Sequence, residues 1–318
     1  MAARVTRSRT RTAASRCHLI EVSHDELGVI FDGLADPLQP VVAVALSSTC
    51  EGLRTPLGPA LQVLQQRHAR ARALACKVQT DPYARTKVRN PSVAIAELHD
   101  TDELSCEGIS MTEDDLATLG MLFHTNGLPK LSAIWLGTSG DAGLIALCAG
   151  MIRGISARGV ASSLCTLALS DNQLGPAGAE ALAAALGRGA LPKLVDLIMP
   201  RNPLGDQGIA ALASAVRKLP VLDYLDLEAC NIGNKGAASL LAGLTKGEFK
   251  ELTYIDLDSN RLTDEGCAMI LSSLKQGGLP KLGEVGLEGN PVTPAPDGHD
   301  PPAIVEVEDF LLARQSAD

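Results

Sequence analysis

Leu164-Cys165-Thr166-Leu167-Ala168-Leu169-Ser170-Asp171-Asn172-Gln173-Leu174 is the stretch on which the fold turns. Leu167 and Leu169 alternate with smaller or polar residues, the pattern of a short strand with one face turned inward. Asn172 stands where the chain leaves the strand, and a short polar side chain there can bond backbone groups that a turn leaves unpaired. The frame, L-x-x-L-x-L-x-x-N-x-L, returns as Leu194, Leu197, Met199, Asn202, Leu204 and as Leu222, Leu225, Leu227, Cys230, Ile232. It returns again as Leu252, Ile255, Leu257, Asn260, Leu262 and as Leu282, Val285, Leu287, Asn290, Val292. From Leu164 the opening leucines are spaced by 30, 28, 30 and 30 residues.

Two earlier copies are degenerate. Leu131, Ile134 and Leu136 begin the frame, but Gly137-Thr138-Ser139-Gly140 is two residues short and lacks the Asn. Before it, Thr101, Leu104, Cys106 and Met111 keep the frame, with Ile109 where Asn is expected. After each strand Gly178, Gly208, Gly236 and Gly266 fall where the turn calls for a small residue. Apolar residues at helical spacing follow, such as Ala179, Leu182, Ala183, Leu186 and Cys267, Ile270, Leu271, Leu274. One strand and one helix cannot bury an apolar face alone, whereas stacked copies can, so the period implies a solenoid.

This pattern resembles the ribonuclease-inhibitor-like subfamily of leucine-rich repeats, over about Asp100 to Val292. The resemblance implies an α/β horseshoe solenoid with parallel strands on the concave face and helices on the convex one. It speaks weakly to function, since one fold hosts many roles.

The frame also says which residues face the concavity: those flanking the inward leucines. In order these are Glu103, Ser105, Glu107; Ala133, Trp135, Gly137; Thr166, Ala168, Ser170; Asp196, Ile198, Pro200; Tyr224, Asp226, Glu228; Tyr254, Asp256, Asp258; Glu284, Gly286, Glu288. The C-terminal half thus stacks Asp226, Glu228, Asp256, Asp258, Glu284 and Glu288 with no basic residue in those columns. Tyr224 and Tyr254 share a column, and Trp135, the only tryptophan, points outward. Like charges on adjacent strands repel, and a basic protein surface relieves them; Tyr and Trp are frequent anchors in interfaces. The expected partner site is Trp135, Asp196, Tyr224, Asp226, Glu228, Tyr254, Asp256, Asp258, Glu284 and Glu288. The plainer reading is a solvated acidic face.

Residues 1–16 carry Arg4, Arg7, Arg9, Arg11 and Arg16 and no acid, the composition of a disordered tail or a targeting segment. From His18 to Leu34, Ser23 and Glu26 read as a capping box, and Leu27, Ile30, Phe31 and Leu34 form an apolar helical face broken at Asp36-Pro37. Further helical runs are read at Val41 to Leu53 and from Pro59 to about Val78. The first two runs resemble an F-box, a small all-helical module; the resemblance implies docking onto the Skp adaptor of a cullin-RING ubiquitin ligase through Leu27, Ile30, Phe31, Leu34 and Leu46. Val22-Ser23 stands where that family has Leu-Pro, and Gly52-Leu53 where it has an aromatic residue. The bland alternative is a helical cap over the first repeat, which solenoids require. The division expected is a basic segment 1–16, an F-box-like helical module with its connecting helix 17–78, a linker 79–99, about seven repeats over 100–292, and a C-terminal cap and tail 293–318, in which Ala303 to Leu312 is apolar enough to cover the last repeat.

Composition bounds the rest. Net charge is −9, which disfavours nucleic acid. Aromatics make up 3%, so the core must be aliphatic. The eight cysteines form no CxxC pair and read as small buried thiols of a reducing compartment. No secretory leader or membrane-length apolar run is visible, so a cytoplasmic or nuclear protein is expected, with an organelle transit segment at 1–16 left open. The sequence has no GxxxxGK[ST], HExxH, GxSxG or GxGxxG, and its six histidines are dispersed. No enzyme, cofactor or metal is expected. The function implied is a protein-binding scaffold, monomeric on its own and serving as the substrate-recognition subunit of an F-box ligase. The alternatives are a free-standing inhibitor or sensor, or a GTPase-activating protein of the ribonuclease-inhibitor-like repeat type using Arg201.

Overall fold

In a computed structural model of the chain, the residues described are 51–78 and 97–316, except 126, 158–162, 245–246 and 297–298. The elements are α1 (Glu51–Lys77), β1 (Glu103–Ser105), α2 (Glu113–His124), β2 (Ala133–Trp135), α3 (Gly140–Ala157), β3 (Thr166–Ala168), α4 (Pro176–Gly187), β4 (Asp196–Ile198) and α5 (Gly205–Val216). They continue as β5 (Tyr224–Asp226), α6 (Asn234–Leu241), β6 (Tyr254–Asp256), α7 (Asp264–Lys275), β7 (Glu284–Gly286) and α8 (Pro302–Gln315). The seven strands form one parallel sheet in sequence order, each paired with its neighbours along the chain. This is the α/β horseshoe solenoid that the period implies.

The register follows the frame. Leu104, Ile134, Leu167, Leu197, Leu225, Ile255 and Val285 pair across successive strands and are all buried. They form one continuous core with the helix residues that face them, such as Leu182, Leu212, Leu240 and Ile270. Each coil shields the apolar side of the next, as the quasi-one-dimensional architecture demands.

The turn asparagines bind neighbouring coils together. Buried Asn202 accepts, at Oδ1, the backbone N–H groups of Asn172 (3.0 Å) and Leu174 (2.9 Å) in the preceding coil. Its Nδ2 donates to the carbonyls of Leu169 (2.8 Å) and Met199 (3.0 Å). Asn260 does the same for Cys230 and Ile232, at 3.0 and 2.9 Å. Cys230, in the same column, donates its thiol to the Met199 carbonyl (3.1 Å) but offers no amide oxygen. The Leu204 N–H accordingly turns to the carbonyl of Asn202 in its own coil (2.7 Å). In the short second copy, Ser139 reaches Asn172 Oδ1 (2.9 Å) and so joins the same ladder.

The glycines were expected in the turn, but they sit in the first helical turn for a different reason. Asp141 Oδ1 accepts from the N–H groups of Gly175 (2.8 Å) and Gly178 (3.0 Å). Asp206 Oδ1 does so for Gly233 (2.7 Å) and Gly236 (2.9 Å). These are the N-cap and N3 donors that a helix ordinarily satisfies with its own capping side chain. Here the neighbouring coil supplies the oxygen. A Cβ at Gly178 would lie 2.5 Å from Asp141 Oδ1, and one at Gly236 would lie 2.7 Å from Asp206 Oδ1. Pro176 replaces the carboxylate in this column, and α5, the next helix, begins without a side-chain cap.

Both ends are covered. α1 buries Leu64, Ala71, Leu74 and Ala75, and its Lys77 pairs with Asp115 of α2. It passes through Pro56 and Pro59 as one helix rather than starting at Pro59 as the sequence suggests. Residues 97–99, expected in the linker, are helical together with Asp100, and Leu98 enters the core. Leu27, Ile30, Phe31, Leu34 and Leu46 lie outside the described residues, as do 1–16 and 79–96. At the other end α8 buries Ile304, Val307 and Leu311, and Gln315 donates to the Gly283 carbonyl (2.8 Å).

Candidate partner-binding face

Strand register places the candidate residues. Asp196 pairs with Tyr224, Tyr224 with Tyr254, and Tyr254 with Glu284, giving one column. Ile198, Asp226, Asp256 and Gly286 form the next. Glu228, Asp258 and Glu288 continue these strands, with the Glu288 N–H donating to Asp258 Oδ1 (2.8 Å). The tyrosine rings are stacked, with centroids 5.0 Å apart and planes 4° from parallel. That separation is close to the spacing of paired strands, about 4.8 Å. The register itself therefore holds the rings face to face.

The carboxylates are pre-positioned by their own backbone. Asp226 Oδ1 accepts from the Glu228 N–H (3.0 Å) and Asp256 Oδ1 from the Asp258 N–H (2.9 Å). The Tyr254 hydroxyl donates to Asp256 Oδ2 (3.3 Å). Gly286 makes room for this arrangement: a Cβ there would lie 2.8 Å from both Asp256 Oδ1 and Asp258 Oδ1. Glu284 and Glu288 are exposed, while Asp196, Tyr224, Asp226, Glu228, Tyr254, Asp256 and Asp258 are half-buried.

Crowding shows in the titration of these groups. Burial, then the charges of Asp256 and Glu228, hold the Asp226 carboxyl above the usual carboxylate range, against a lowering hydrogen bond from the Glu228 N–H. Burial and Asp256 raise Asp258 in the same way. The Tyr224 and Tyr254 hydroxyls are raised, first by burial and then by the aspartates beside them. The sheet holds more negative charge here than its surroundings balance.

Two features refine the expected face. Trp135 is half-buried on β2, with Ala168 and Ile198 between it and Asp226 along the column. It does not join the tyrosine pair. The acidic columns do have a basic neighbour at their edge: Arg201 Nη1 lies 3.7 Å from Glu228 Oε2. Arg201 is held by Asp171, donating from Nε (2.9 Å) and Nη2 (2.8 Å). Both residues have positive φ, 55° and 56°, as do Ala229 and Ser259 in the same column. The N–H of each donates to the neighbouring coil, for example Arg201 to the Glu228 carbonyl (2.8 Å). This ladder was missed because Asp, Arg, Ala and Ser share no chemistry that would mark a column. Glu308 of α8 was missed as well. Its carboxyl is raised by burial and then by Asp300, Glu288, Asp309 and Glu284, so α8 extends the acidic surface. The acids clustered at Asp300, Glu306, Glu308 and Asp309 were the available signal.

Chemistry of other kinds has less to stand on. Among the described residues, no three His, Cys, Asp or Glu side chains converge to hold a metal ion. Burial pushes the thiols of Cys106, Cys148 and Cys230 up to about 12, far from a reactive thiolate. Cys76, on α1 outside the repeat frame, is exposed.

A sequence profile described as Leucine Rich repeat matches residues 160–183, 218–241 and 251–271. Each matched stretch holds a strand frame or the helix after one. These are leucine-rich repeats. No curated protein matches the chain in sequence. Among solved structures, Rad7 in the yeast Rad7–Elc1 complex superposes with a TM-score of 0.42 at 16% identity, over 67% of this chain and 56% of that one. TLR13 in its complex with ssRNA13 gives 0.22 at 17% identity, over 56% of this chain and 32% of that one. The chain thus spans little more than half the length of the first and a third of the second.

Proposed function

We propose that this leucine-rich-repeat solenoid is a non-enzymatic scaffold that captures a protein through a basic surface, on the concave face from Asp196 to Glu288. The observation that supports it best is the stacked Tyr224–Tyr254 pair, half-buried beside Asp226 and Asp256. A solvated acidic surface has no need of parallel aromatic rings, whereas aromatic anchors within a polar rim are the anatomy of interfaces. Asp226, Asp256 and Asp258 are already fixed by backbone hydrogen bonds, which lowers the entropy lost on binding. The Asp226→Lys/Asp256→Lys/Glu284→Lys variant is expected to lose capture of a nona-arginine peptide at least a hundredfold, while urea denaturation shows it folded. Undiminished capture by the folded variant overturns this reading.

Recruitment to a cullin-RING ligase is the finer proposal. It rests on Leu27, Ile30, Phe31, Leu34 and Leu46 in the F-box-like stretch. α1 itself supplies the covering of the first repeat, so the F-box-like stretch is not needed as that cap. Loss of Skp-adaptor binding on Phe31→Ala would support recruitment; a chain that never binds the adaptor would be a free-standing inhibitor or sensor. The GTPase-activating alternative is weaker, since Arg201 is already held by Asp171.

A further inference from the structure

We infer that the chain's own arginine-rich segment, residues 1–16, docks on the acidic end of the concave sheet face and competes there with the basic partner. The inference rests on the proposed binding face and adds the chain's own segment as its occupant.

Charge matching is the first argument. The segment holds Arg4, Arg7, Arg9, Arg11 and Arg16 and no acid, in a chain whose net charge is −9. The face presents Asp226, Glu228, Asp256, Asp258, Glu284 and Glu288, with Glu308 beside the last two. Spacing is the second. Arg7, Arg9 and Arg11 are two residues apart. Laid out extended, they would place guanidinium groups on one side at intervals of about 6.6 Å. Asp226 and Glu228, or Asp256 and Asp258, are separated along their strands by the same two residues. Reach is the third. Residues 17–50 separate the segment from Glu51, where α1 is first described. With about twenty of these thirty-four residues in the two helical runs read from the sequence and the others extended, they span up to about 76 Å. Crossing six strand spacings takes about 29 Å and following the length of α1 about 40 Å. A segment tethered to the chain meets the face intramolecularly, so even a weak contact competes with a partner free in solution.

The test compares nona-arginine binding at low ionic strength by the full chain and two variants. One carries Arg4→Gln, Arg7→Gln, Arg9→Gln, Arg11→Gln and Arg16→Gln. The other removes the same charge elsewhere, through Arg188→Gln, Lys193→Gln, Lys218→Gln, Lys250→Gln and Lys275→Gln, all exposed positions. About tenfold tighter binding by the first variant, with the second within about twofold of the unaltered chain, is the expected result. Equal gains in both would reduce the effect to net charge and overturn self-docking, with the binding face intact. Absence of binding by all three would overturn the face and its occupant together. Sedimentation of the unaltered chain should show one mass at all concentrations. A mass that grows with concentration, and ceases to grow in the first variant, would place the segment on a second copy and overturn docking within one chain.

Discussion

The two edges of each coil use polar residues in opposite ways. On the turn edge, Asn172, Asn202, Asn260 and Asn290 are buried, and their amides are spent on backbone groups of adjacent coils. On the strand edge, Asp226 and Asp258 each have one oxygen engaged by a backbone N–H, yet both carboxyls remain raised by burial and by one another's neighbours. A buried polar group persists when its bonds are made. A carboxylate kept beside other carboxylates gains nothing for the scaffold. The contrast teaches that the turn edge is where the solenoid is built and the strand edge is where it keeps unspent charge.

Removing one ladder amide is the severest way to test that division. Asn202→Ala strips acceptors from the N–H groups of Asn172 and Leu174 and a donor from the carbonyls of Leu169 and Met199. Buried groups left unpaired cost about 1–3 kcal/mol each, so a loss of about 3 kcal/mol or more in urea denaturation is expected. Cys230→Ala, in the same column, removes one thiol bond and should cost about 1 kcal/mol. Nona-arginine affinity should be unaltered in both while they are folded. Equal losses at the two sites would deny the ladder its role.

Acid should separate the edges more gently. Asp226 and Asp258 titrate above the ordinary value of 3.8, so between 3.8 and their raised values the folded chain binds more protons than the unfolded one. Their contribution to stability is therefore fully present below 3.8 and lost as pH rises through the raised values. At Asp115 burial is outweighed by Lys77 and Thr112 together, so its carboxyl is lowered, and Asp171 and Asp264 are lowered by Arg201 and Thr293 against a smaller effect of burial. Their contribution is present above 3.8 and lost as pH falls below it. Urea midpoints should therefore rise slightly on acidification toward pH 4 and then fall. In the same upper window nona-arginine binding should weaken about threefold to tenfold as the face loses charge. Asp226→Asn with Asp258→Asn should reduce the rise to the share of Glu308, whose carboxyl is also raised, and leave the fall.

How far all this was legible follows from what each feature depends on. The inward column from Leu104 to Val285 was readable because alternation within one strand fixes it. The stacked tyrosines were readable because parallel pairing preserves the frame from coil to coil. The capping of one helix by Asp141 or Asp206 of another coil was not, since its signal is split between residues about 30 positions apart. The same limit hid the grip of Asp171 on Arg201, 30 residues along the chain. The positive-φ column stayed hidden because its residues have nothing in common but their place. Trp135 was assigned to the right side of the sheet, yet two intervening strands keep it from the tyrosines.

The tyrosine pair itself allows the finest cut between building and binding. Tyr254→Phe keeps the ring and deletes a hydroxyl whose bond to Asp256 is long, at 3.3 Å, and half-exposed. Stability should change by less than about 0.5 kcal/mol, at the weak end of what such bonds contribute. If the ring face and edge serve as the anchor, affinity for nona-arginine should likewise stay within about twofold. Tyr254→Ala removes the stack and should lower affinity about tenfold, since aromatic anchors contribute on the order of 1–2 kcal/mol in interfaces. Should Phe weaken binding as much as Ala does, the hydroxyl and its carboxylate partner are the recognition element. The stacked rings would then belong with the turn asparagines, as part of the frame.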